Sequence, residues 1–251
     1  MKKTISFKSL IVLFSIVSFI SCEIEPLDSA IDLDALNQNN SNNPNENGST
    51  GGVSTGDYWP TALNNQWVLE RDGVTQQPLK IIGTETFNTK LYYKFEEVTD
   101  GTGGNSVTAY SFLNKNNGDY TYKVDNTTLD IGGLTGTQTG FEYIILKDYL
   151  DVNGTWSGSY TQTTTYTGIP PIVLTVNYQG TILEKNATLT VPSGNYSNVI
   201  KCRIVLNVSN QGTTSTTTTD YWYAKDVGPI KSVTTSGGTT TTSDLISYIL
   251  N

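Results

Sequence analysis

The sequence predicts an all-β protein: one large antiparallel curved sheet with hairpin connections and little or no helix. From Asp57 onward, Thr, Val, Ile, Tyr and Trp occur in short runs that Gly and Asn interrupt, which is typical of strands between tight turns. No long window keeps the 3.6-residue apolar spacing of a helix, so helix is limited to a turn or two near 60–63 or 147–150. About a dozen strands are expected, and a sheet of that size curls into an open barrel or folds into a two-sheet sandwich.

The first strands after Asp57 are defined by their turns. Residues 68–74 run into an Asp-Gly hairpin turn, where glycine supplies the positive φ. Residues 91–98 form the next expected strand, and 110–113 and 120–124 form a hairpin around an Asn-Asn-Gly-Asp turn. Because the loops are too short for helical crossovers, the strands are expected to pair antiparallel.

Toward the C-terminus the alternation becomes regular. Every second residue from 202 to 208 is apolar, which predicts a strand with one face in the core and one in water. A meander over 214–225, 229–236 and 239–250 is expected to follow it. The threonine runs of this meander keep strand propensity while adding little apolar surface. They indicate a solvated sheet face, or alternatively a hydroxyl ladder that binds glycan or a mineral surface.

Composition excludes several functions. The chain has 251 residues, of which 36% are hydrophobic and 15% charged, and it contains no histidine. A Ser-His-Asp triad, a Cys-His pair and a His-ligated zinc site are therefore excluded. The formal net charge is −8 and the sequence pI is about 4.5, which argues against nucleic-acid binding because phosphate neutralisation needs clustered Lys and Arg.

Residues 1–21 have the pattern of a secretory signal peptide. Three lysines precede an apolar run over 10–20, which is too short for a permanent membrane span. The sequence Phe-Ile-Ser-Cys at 19–22 resembles the lipobox of bacterial lipoproteins, which implies that Cys22 receives the lipid and becomes the mature N-terminus. The alternative is an ordinary secreted protein with an incidental cysteine.

Charge bears on how the mature chain meets a membrane. Residues 1–21 contain three of the 15 Lys and Arg and none of the 23 acids, so 12 basic and 23 acidic residues remain and the net charge becomes −11. Anionic headgroups would repel such a chain, so attachment is expected through acyl chains such as palmitate on Cys22. The acidic residues Glu23, Glu25 and Asp28 resemble the signal that sends Bacteroidetes-type lipoproteins to the outer face of the outer membrane. We therefore expect an outer-membrane, surface-exposed protein rather than one facing the periplasm, with a solvated charge run as the alternative.

Four segments of the chain resemble sequence landmarks of one protein family. Residues 58–67 (YWPTALNNQW) resemble the opening YWPL..GN.W, and 150–156 (LDVNGTW) resemble the mid-chain L.VG.TW. Residues 190–202 (TVPSGNYSNVIKC) are similar to VPAG.F.NVIK, and 221–231 (YWYAKDVGPIK) to the closing YWYAKGVGLVK. In these segments the chain resembles a group of Bacteroidetes-type outer-membrane lipoproteins with a β-rich domain of unknown function. The resemblance implies the fold and the lipoprotein class, and it brings no catalytic residues.

The landmark residues themselves have a structural interpretation. Trp67 and Trp156 each follow an asparagine-containing turn at the start of a strand and are expected to anchor the core, and Trp59 is a further structural landmark. Gly194 and Gly228 lie in turns that a neighbouring proline helps to set.

The chain thus divides into three parts. Residues 1–21 are the signal peptide, and 22–56 form an Asn-, Ser- and Gly-rich tether without aromatic residues, which is expected to be disordered. Residues 57–251 form a single all-β domain. The recurring turn and tryptophan suggest two similar halves within it, 57–147 and 148–251.

Candidates for catalysis are few. A glycosidase needs two carboxylates at a fixed separation. The acidic candidates, which no motif separates from ordinary surface acids, are Glu96, Glu97, Asp119, Glu142, Asp148 and Asp151.

A metal site is also weakly indicated. Asp148, Asp151 and Asn153 could bind calcium, but their spacing does not match that of a calcium-binding loop. Cys202 is expected to be an inert core thiol. We therefore expect a protein that is not an enzyme and that uses no cofactor or metal.

Two binding functions are compatible with the sequence. In the first, the concave apolar face of the curved sheet holds a lipid or another amphiphile. In the alternative, the protein is a surface glycan-binding or adhesion module in which Tyr160, Tyr166, Trp222 and Tyr223 stack on sugar rings. A carrier requires a deep apolar cavity, whereas a glycan binder requires coplanar aromatic side chains on an exposed face. A filled core without such a surface would leave a scaffold or partner-binding role.

Overall fold

A computed structural model describes residues 51–102, 105–210 and 212–251. These residues form strands, turns and loops without a helix, so the predicted all-β class is confirmed. The strands, in chain order, are β1 (Gln66–Arg71), β2 (Val74–Thr75), β3 (Leu79–Phe87), β4 (Lys90–Phe95), β5 (Val98–Thr102), β6 (Asn105–Ala109), β7 (Ser111–Asn116), β8 (Asp119–Val124), β9 (Thr127–Ile131), β10 (Leu134–Gln138), β11 (Phe141–Lys147), β12 (Thr155–Tyr166), β13 (Ile169–Val191), β14 (Gly194–Asn210), β15 (Thr213–Ala224), β16 (Gly228–Ser236) and β17 (Thr239–Ile249). The predicted signal peptide, Cys22 and most of the predicted tether lie outside the described residues.

The strands form one large antiparallel sheet that curves without closing into a barrel. From β12 to β17 each strand pairs with the next, and β17 then pairs with β1. The pairing continues from β1 through β3, β4, β7 and β8 to β11. On the other side of β12, the sheet extends through β10, β9 and β6 to β5. The β11 strand packs against β12 and β13 without pairing to either, so the sheet encloses a core.

The two segments predicted as similar halves are built differently. The described residues within 57–147 form eleven strands, of which the longest, β3, has 9 residues. Residues 148–251 contribute the regular meander from β12 to β17, in which β13 reaches 23 residues. Both segments contribute side chains to one shared core.

The concave face of the sheet carries the core. On β14, Cys202, Ile204 and Val208 are buried while Arg203 is exposed, which confirms the predicted alternation. Cys202 is opposite Ile182 on β13 and Tyr221 on β15, so the inward row continues across three strands. We call the other side of the sheet the outer face.

Three tryptophans lie in this core. Trp67 is fully buried, and its ring meets that of Trp59 edge-on at 6.3 Å between centroids. The Trp67 indole donates to the Val227 carbonyl at 2.7 Å, and the Trp156 indole donates to the Ile144 carbonyl at 2.8 Å. These bonds satisfy the indole N–H groups of Trp67 and Trp156, which would otherwise cost free energy, whereas the buried Nε1 of Trp59 has no hydrogen-bond partner among the described residues.

The folded region reaches back into the segment predicted as tether. Thr55 donates its backbone N–H to Asp148 at 3.1 Å, and the Ser54 hydroxyl donates to the same carboxylate at 2.6 Å. The backbone N–H of Gly118 donates to the Gly52 carbonyl at 3.0 Å. Residues 51–56 therefore belong to the domain, whereas the sequence placed its start at Asp57. No helix in the described part of the chain has the length and hydropathy needed to span a membrane.

Candidate functional site

Aromatic side chains fill the concave face beyond the tryptophans. Phe141 stacks on Tyr160 with 4.9 Å between centroids and an interplanar angle of 12°, and Tyr143 stacks on the same tyrosine at 6.3 Å. The Tyr143 and Tyr221 side chains are linked by a hydrogen bond, and burial is the main reason that the pKa of both phenols is raised. The interior is thus packed with tyrosines, which is not the deep apolar space that a lipid carrier requires.

A groove of about 560 Å³ opens instead on the surface of the part of the sheet that contains β3, β4, β8 and β11. We call it the β4–β11 groove. Its main lining residues are Phe87, Lys90, Tyr92, Lys123, Phe141 and Glu142. Its volume falls within the range of about 300–1,000 Å³ that is usual for small-molecule sites.

Strand register explains why these side chains meet. Lys94 on β4 is opposite Phe112 on β7, which is opposite Lys123 on β8, which is opposite Glu142 on β11. The next residues along these strands, such as Leu113 and Tyr143, face the core, so the first row points to the outer face. Four strands therefore bring together residues that are distant in sequence.

The β3–β4 turn forms one end of the groove. Phe87 and Lys90 are its closing pair, and the two residues between them, Asn88 and Thr89, have φ angles of +47° and +70°. A two-residue hairpin with positive φ at both positions has the geometry of a type I′ turn, which favours Asn and Gly. A β-branched threonine in that region is strained, and such strain is often found next to binding sites.

A buried tyrosine fixes the acidic group of the groove. The Tyr92 hydroxyl donates to Oε2 of Glu142 at 2.8 Å, and Tyr92 is only 1% exposed. Burial and then the hydrogen bond and charge of Glu142 raise the pKa of Tyr92 far above its usual value of 10, so the phenol stays protonated as a donor. The carboxylate of Glu142 is itself exposed, so it can accept hydrogen bonds from a ligand.

The apolar walls come from phenylalanines. Phe87 meets Phe112 edge-on at 5.0 Å and Tyr92 edge-on at 5.4 Å, which holds its ring in place while leaving it partly exposed. Phe141 also lines the groove at the start of β11, while its ring stacks on Tyr143 and Tyr160 on the core side of that strand. Rigid aromatic rings can bind a ligand with little loss of side-chain entropy.

The aromatic residues singled out in the sequence do not meet in one site. Tyr160 lies in the interior tyrosine packing, and Tyr223 is fully buried there. Trp222 is on the outer face, with the Lys201 ammonium 4.8 Å from its ring centroid. Tyr166 is at the far end of β12, where it packs over Gly136.

The acidic candidates are also dispersed. Asp148 is buried under residues 54 and 55, Asp119 pairs with Lys147 at 3.2 Å, and Glu142 belongs to the groove. The remaining three, Glu96, Glu97 and Asp151, are exposed. Within 51–102, 105–210 and 212–251, no group of three or more His, Cys, Asp or Glu residues is arranged to hold a metal ion.

Cys202 is a buried free thiol. Its Sγ contacts the Ile145 carbonyl oxygen at 3.6 Å, and burial raises its pKa far above the usual value of a thiol. A thiol that stays protonated is a poor nucleophile.

Comparison with known proteins gives likeness of structure only. No protein-family model matches the chain, and no curated protein matches it. A candidate lipoprotein from Parabacteroides distasonis is similar over 79% of this chain and 100% of its own, at 10% identity and a TM-score of 0.42. A candidate exported protein with a YmcC-like fold from Bacteroides fragilis is similar over 78% of this chain and 100% of its own, at 11% identity and a TM-score of 0.42.

Proposed function

We propose that this protein is a non-catalytic, lipid-anchored module of the bacterial outer membrane that binds a saccharide in the β4–β11 groove. The observation that carries the proposal is the Tyr92–Glu142 hydrogen bond, which holds an exposed carboxylate in the same groove as the partly exposed ring of Phe87.

The chemistry of the groove matches the chemistry of a sugar. A pyranose has an apolar C–H face, which packs on an aromatic ring, and a rim of hydroxyls, which donate to a fixed carboxylate. Because Tyr92 restrains Glu142, little side-chain entropy is lost when a hydroxyl binds there. The groove volume of about 560 Å³ suits a ligand of one or two sugar rings.

The same observations weigh against a lipid carrier. A buried acyl chain needs an apolar cavity on the concave face, where Tyr143, Tyr160 and Tyr221 instead pack against one another. The glycan-binding alternative therefore has the stronger structural support, although it uses a different set of aromatic residues from the one expected in the sequence.

The membrane anchor rests on the sequence. The lipobox-like segment at 19–22 supports acylation of Cys22, and the acidic residues that follow support display on the cell surface. Substitution Cys22→Ala is expected to release the protein from the membrane fraction. Continued membrane retention of this variant would overturn the anchor.

A glycan array tests the binding function. The probe is the full chain carrying Cys22→Ala, which keeps the protein in solution. We expect binding to at least one class of glycan, loss of at least ten-fold in affinity with Phe87→Ala, and no change with Val173→Ala, an exposed apolar residue on β13. A blank array, or binding that Phe87→Ala leaves unchanged, would overturn the proposal.

A further inference from the structure

We propose that the ligand of the β4–β11 groove is an acidic saccharide whose carboxylate is bound by Lys90 and Lys123. This inference rests on the proposed function and adds the charge of the ligand to it.

The lysines of the groove differ from most others in the chain. Five described lysines form ion pairs, and they are Lys94, Lys115, Lys147, Lys201 and Lys231. Lys185 and Lys225 donate to backbone carbonyls. Of the lysines in the described ranges, this leaves Lys80, Lys90 and Lys123 without an ion pair or hydrogen bond, and two of these three line the groove.

Lys123 is beside a carboxylate that it does not bind. It is opposite Glu142 in the β8–β11 register, yet the two side chains form no ion pair, and Glu142 accepts from the Tyr92 hydroxyl. The Lys123 ammonium instead lies 4.8 Å from the centroid of the Phe87 ring. A cation–π contact leaves an ammonium free to donate hydrogen bonds to a ligand.

Lys90 provides a second positive charge, at the β3–β4 turn. It closes the β3–β4 turn opposite Phe87 and is exposed. The groove thus carries two ammonium groups against the single carboxylate of Glu142, on a chain whose formal net charge is −8. A local positive excess on an acidic protein favours a ligand with its own negative charge.

The size and lining of the groove favour a sugar acid over a polyanion. Two lysines neutralise too little charge for a phosphate backbone, and the acidic surroundings would repel one. The ring of a uronic or sialic acid can pack against Phe87 while its carboxylate reaches Lys90 and Lys123. Its hydroxyls then face Glu142, so each type of group in the groove has a counterpart.

Titration calorimetry with matched ligand pairs tests this inference. The probes are short oligosaccharides of galacturonic, glucuronic and sialic acid, each compared with its own methyl ester, which keeps the ring and removes the charge. The protein is the full chain with Cys22→Ala. We expect at least one free acid to bind ten-fold or more tightly than its ester at low salt, and this difference to shrink at high salt.

Matched variants locate the charge effect. Lys123→Gln is expected to reduce the preference for the acid at least five-fold, and Lys123→Arg to retain most of it. Lys80 is the one of the three described unpaired lysines that does not line the groove. Lys80→Gln is therefore expected to leave the preference for the acid unchanged.

The outcomes separate the two proposals. Equal binding of acid and ester that still depends on Phe87 would overturn the acidic ligand and leave the saccharide site intact. No binding of any acid, ester or neutral array glycan would overturn the proposed function itself. A preference for the acid that Lys123→Gln and Lys90→Gln leave unchanged would also overturn this inference.

Discussion

The Tyr92 hydroxyl and the Glu142 carboxylate are joined by a 2.8 Å hydrogen bond across two intervening strands. Tyr92 lies on β4 and Glu142 on β11, with β7 and β8 between them in the pairing sequence. The Tyr92 side chain therefore extends along the outer face of the sheet and holds an acid on β11, a strand that does not pair with β4. This bond connects the fold to the proposed binding site.

Removing this hydroxyl should weaken binding more than folding. Tyr92→Phe keeps the buried ring and its edge-on contact with Phe87, but it leaves Glu142 unrestrained. Immobilising one flexible side chain on binding costs about 0.5–1.5 kcal/mol, so we expect glycan affinity to fall about two- to ten-fold when Glu142 is no longer held in place. Calorimetry gives the affinity and urea unfolding gives the stability. A variant that binds as well as the wild type would contradict the role of this bond.

The buried carboxylate of Asp148 should make stability depend on pH in a characteristic direction. Burial raises its pKa above 3.8, and the hydrogen bonds from Ser54 and Thr55 only partly oppose this shift. The folded state therefore holds the proton more tightly than the unfolded state. Asp148's contribution to the free energy of unfolding falls as pH rises from 3.8 to the raised pKa, and is constant above it.

Asp148→Asn removes this titration and serves as its test. Urea unfolding of both proteins across the acidic range should show the wild type losing stability relative to Asp148→Asn as pH increases. A difference between the two proteins that does not vary with pH, or that varies in the opposite direction, would contradict the expected shift.

Gln162 should be a site where an apolar substitution stabilises the protein. It is 1% exposed, and in the described part of the chain neither its Nε2 nor its Oε1 has a hydrogen-bond partner. An unsatisfied buried amide costs about 1–3 kcal/mol, so Gln162→Leu is expected to raise the free energy of unfolding by about 1 kcal/mol. The same change at Gln179, which is half-buried on β13, should alter stability by less than about 0.5 kcal/mol. Destabilisation by Gln162→Leu would show that the amide has a partner, such as a buried water.

Gly228 should not tolerate a side chain. Its φ is +111°, and a Cβ there would lie 3.0 Å from Nε1 of Trp67, the atom that donates to the Val227 carbonyl. Gly228→Ala combines backbone strain with displacement of a core tryptophan, so we expect a loss of about 3 kcal/mol in urea unfolding. Gly83→Ala is the control, because a Cβ there meets no atom within 4 Å and φ is not positive. Equal effects of the two substitutions would contradict this account.

The sequence predicts the fold class because strand periodicity is local. Alternation from 202 to 208, together with turn residues such as Asp72-Gly73, is enough to indicate antiparallel strands. The same periodicity places Tyr221 and Tyr223 on the buried face of β15 and Trp222 on the opposite face. Alternation alone therefore indicates that Trp222 and Tyr223 do not share one binding surface. Tyrosine suits a core and a surface equally well, and that ambiguity led to the expectation of a shared binding surface.

The groove could not be predicted in this way, because it depends on long-range pairing. Phe87 and Glu142 meet only because β4, β7, β8 and β11 are neighbours in the sheet, an order that no local pattern encodes. The available local signal was the Asn88-Thr89 pair between two strands, which is a weak form of the type I′ turn sequence. The start of the domain was missed for a similar reason, because Ser54 and Thr55 are held by Asp148, far along the chain.

The most direct test of the central claim is a crystal structure of the protein with the glycan that binds most tightly on the array. We expect a sugar ring packed against Phe87, with a hydroxyl within hydrogen-bonding distance of Glu142. A sugar bound elsewhere, for example on Trp222, with the β4–β11 groove unoccupied, would contradict it.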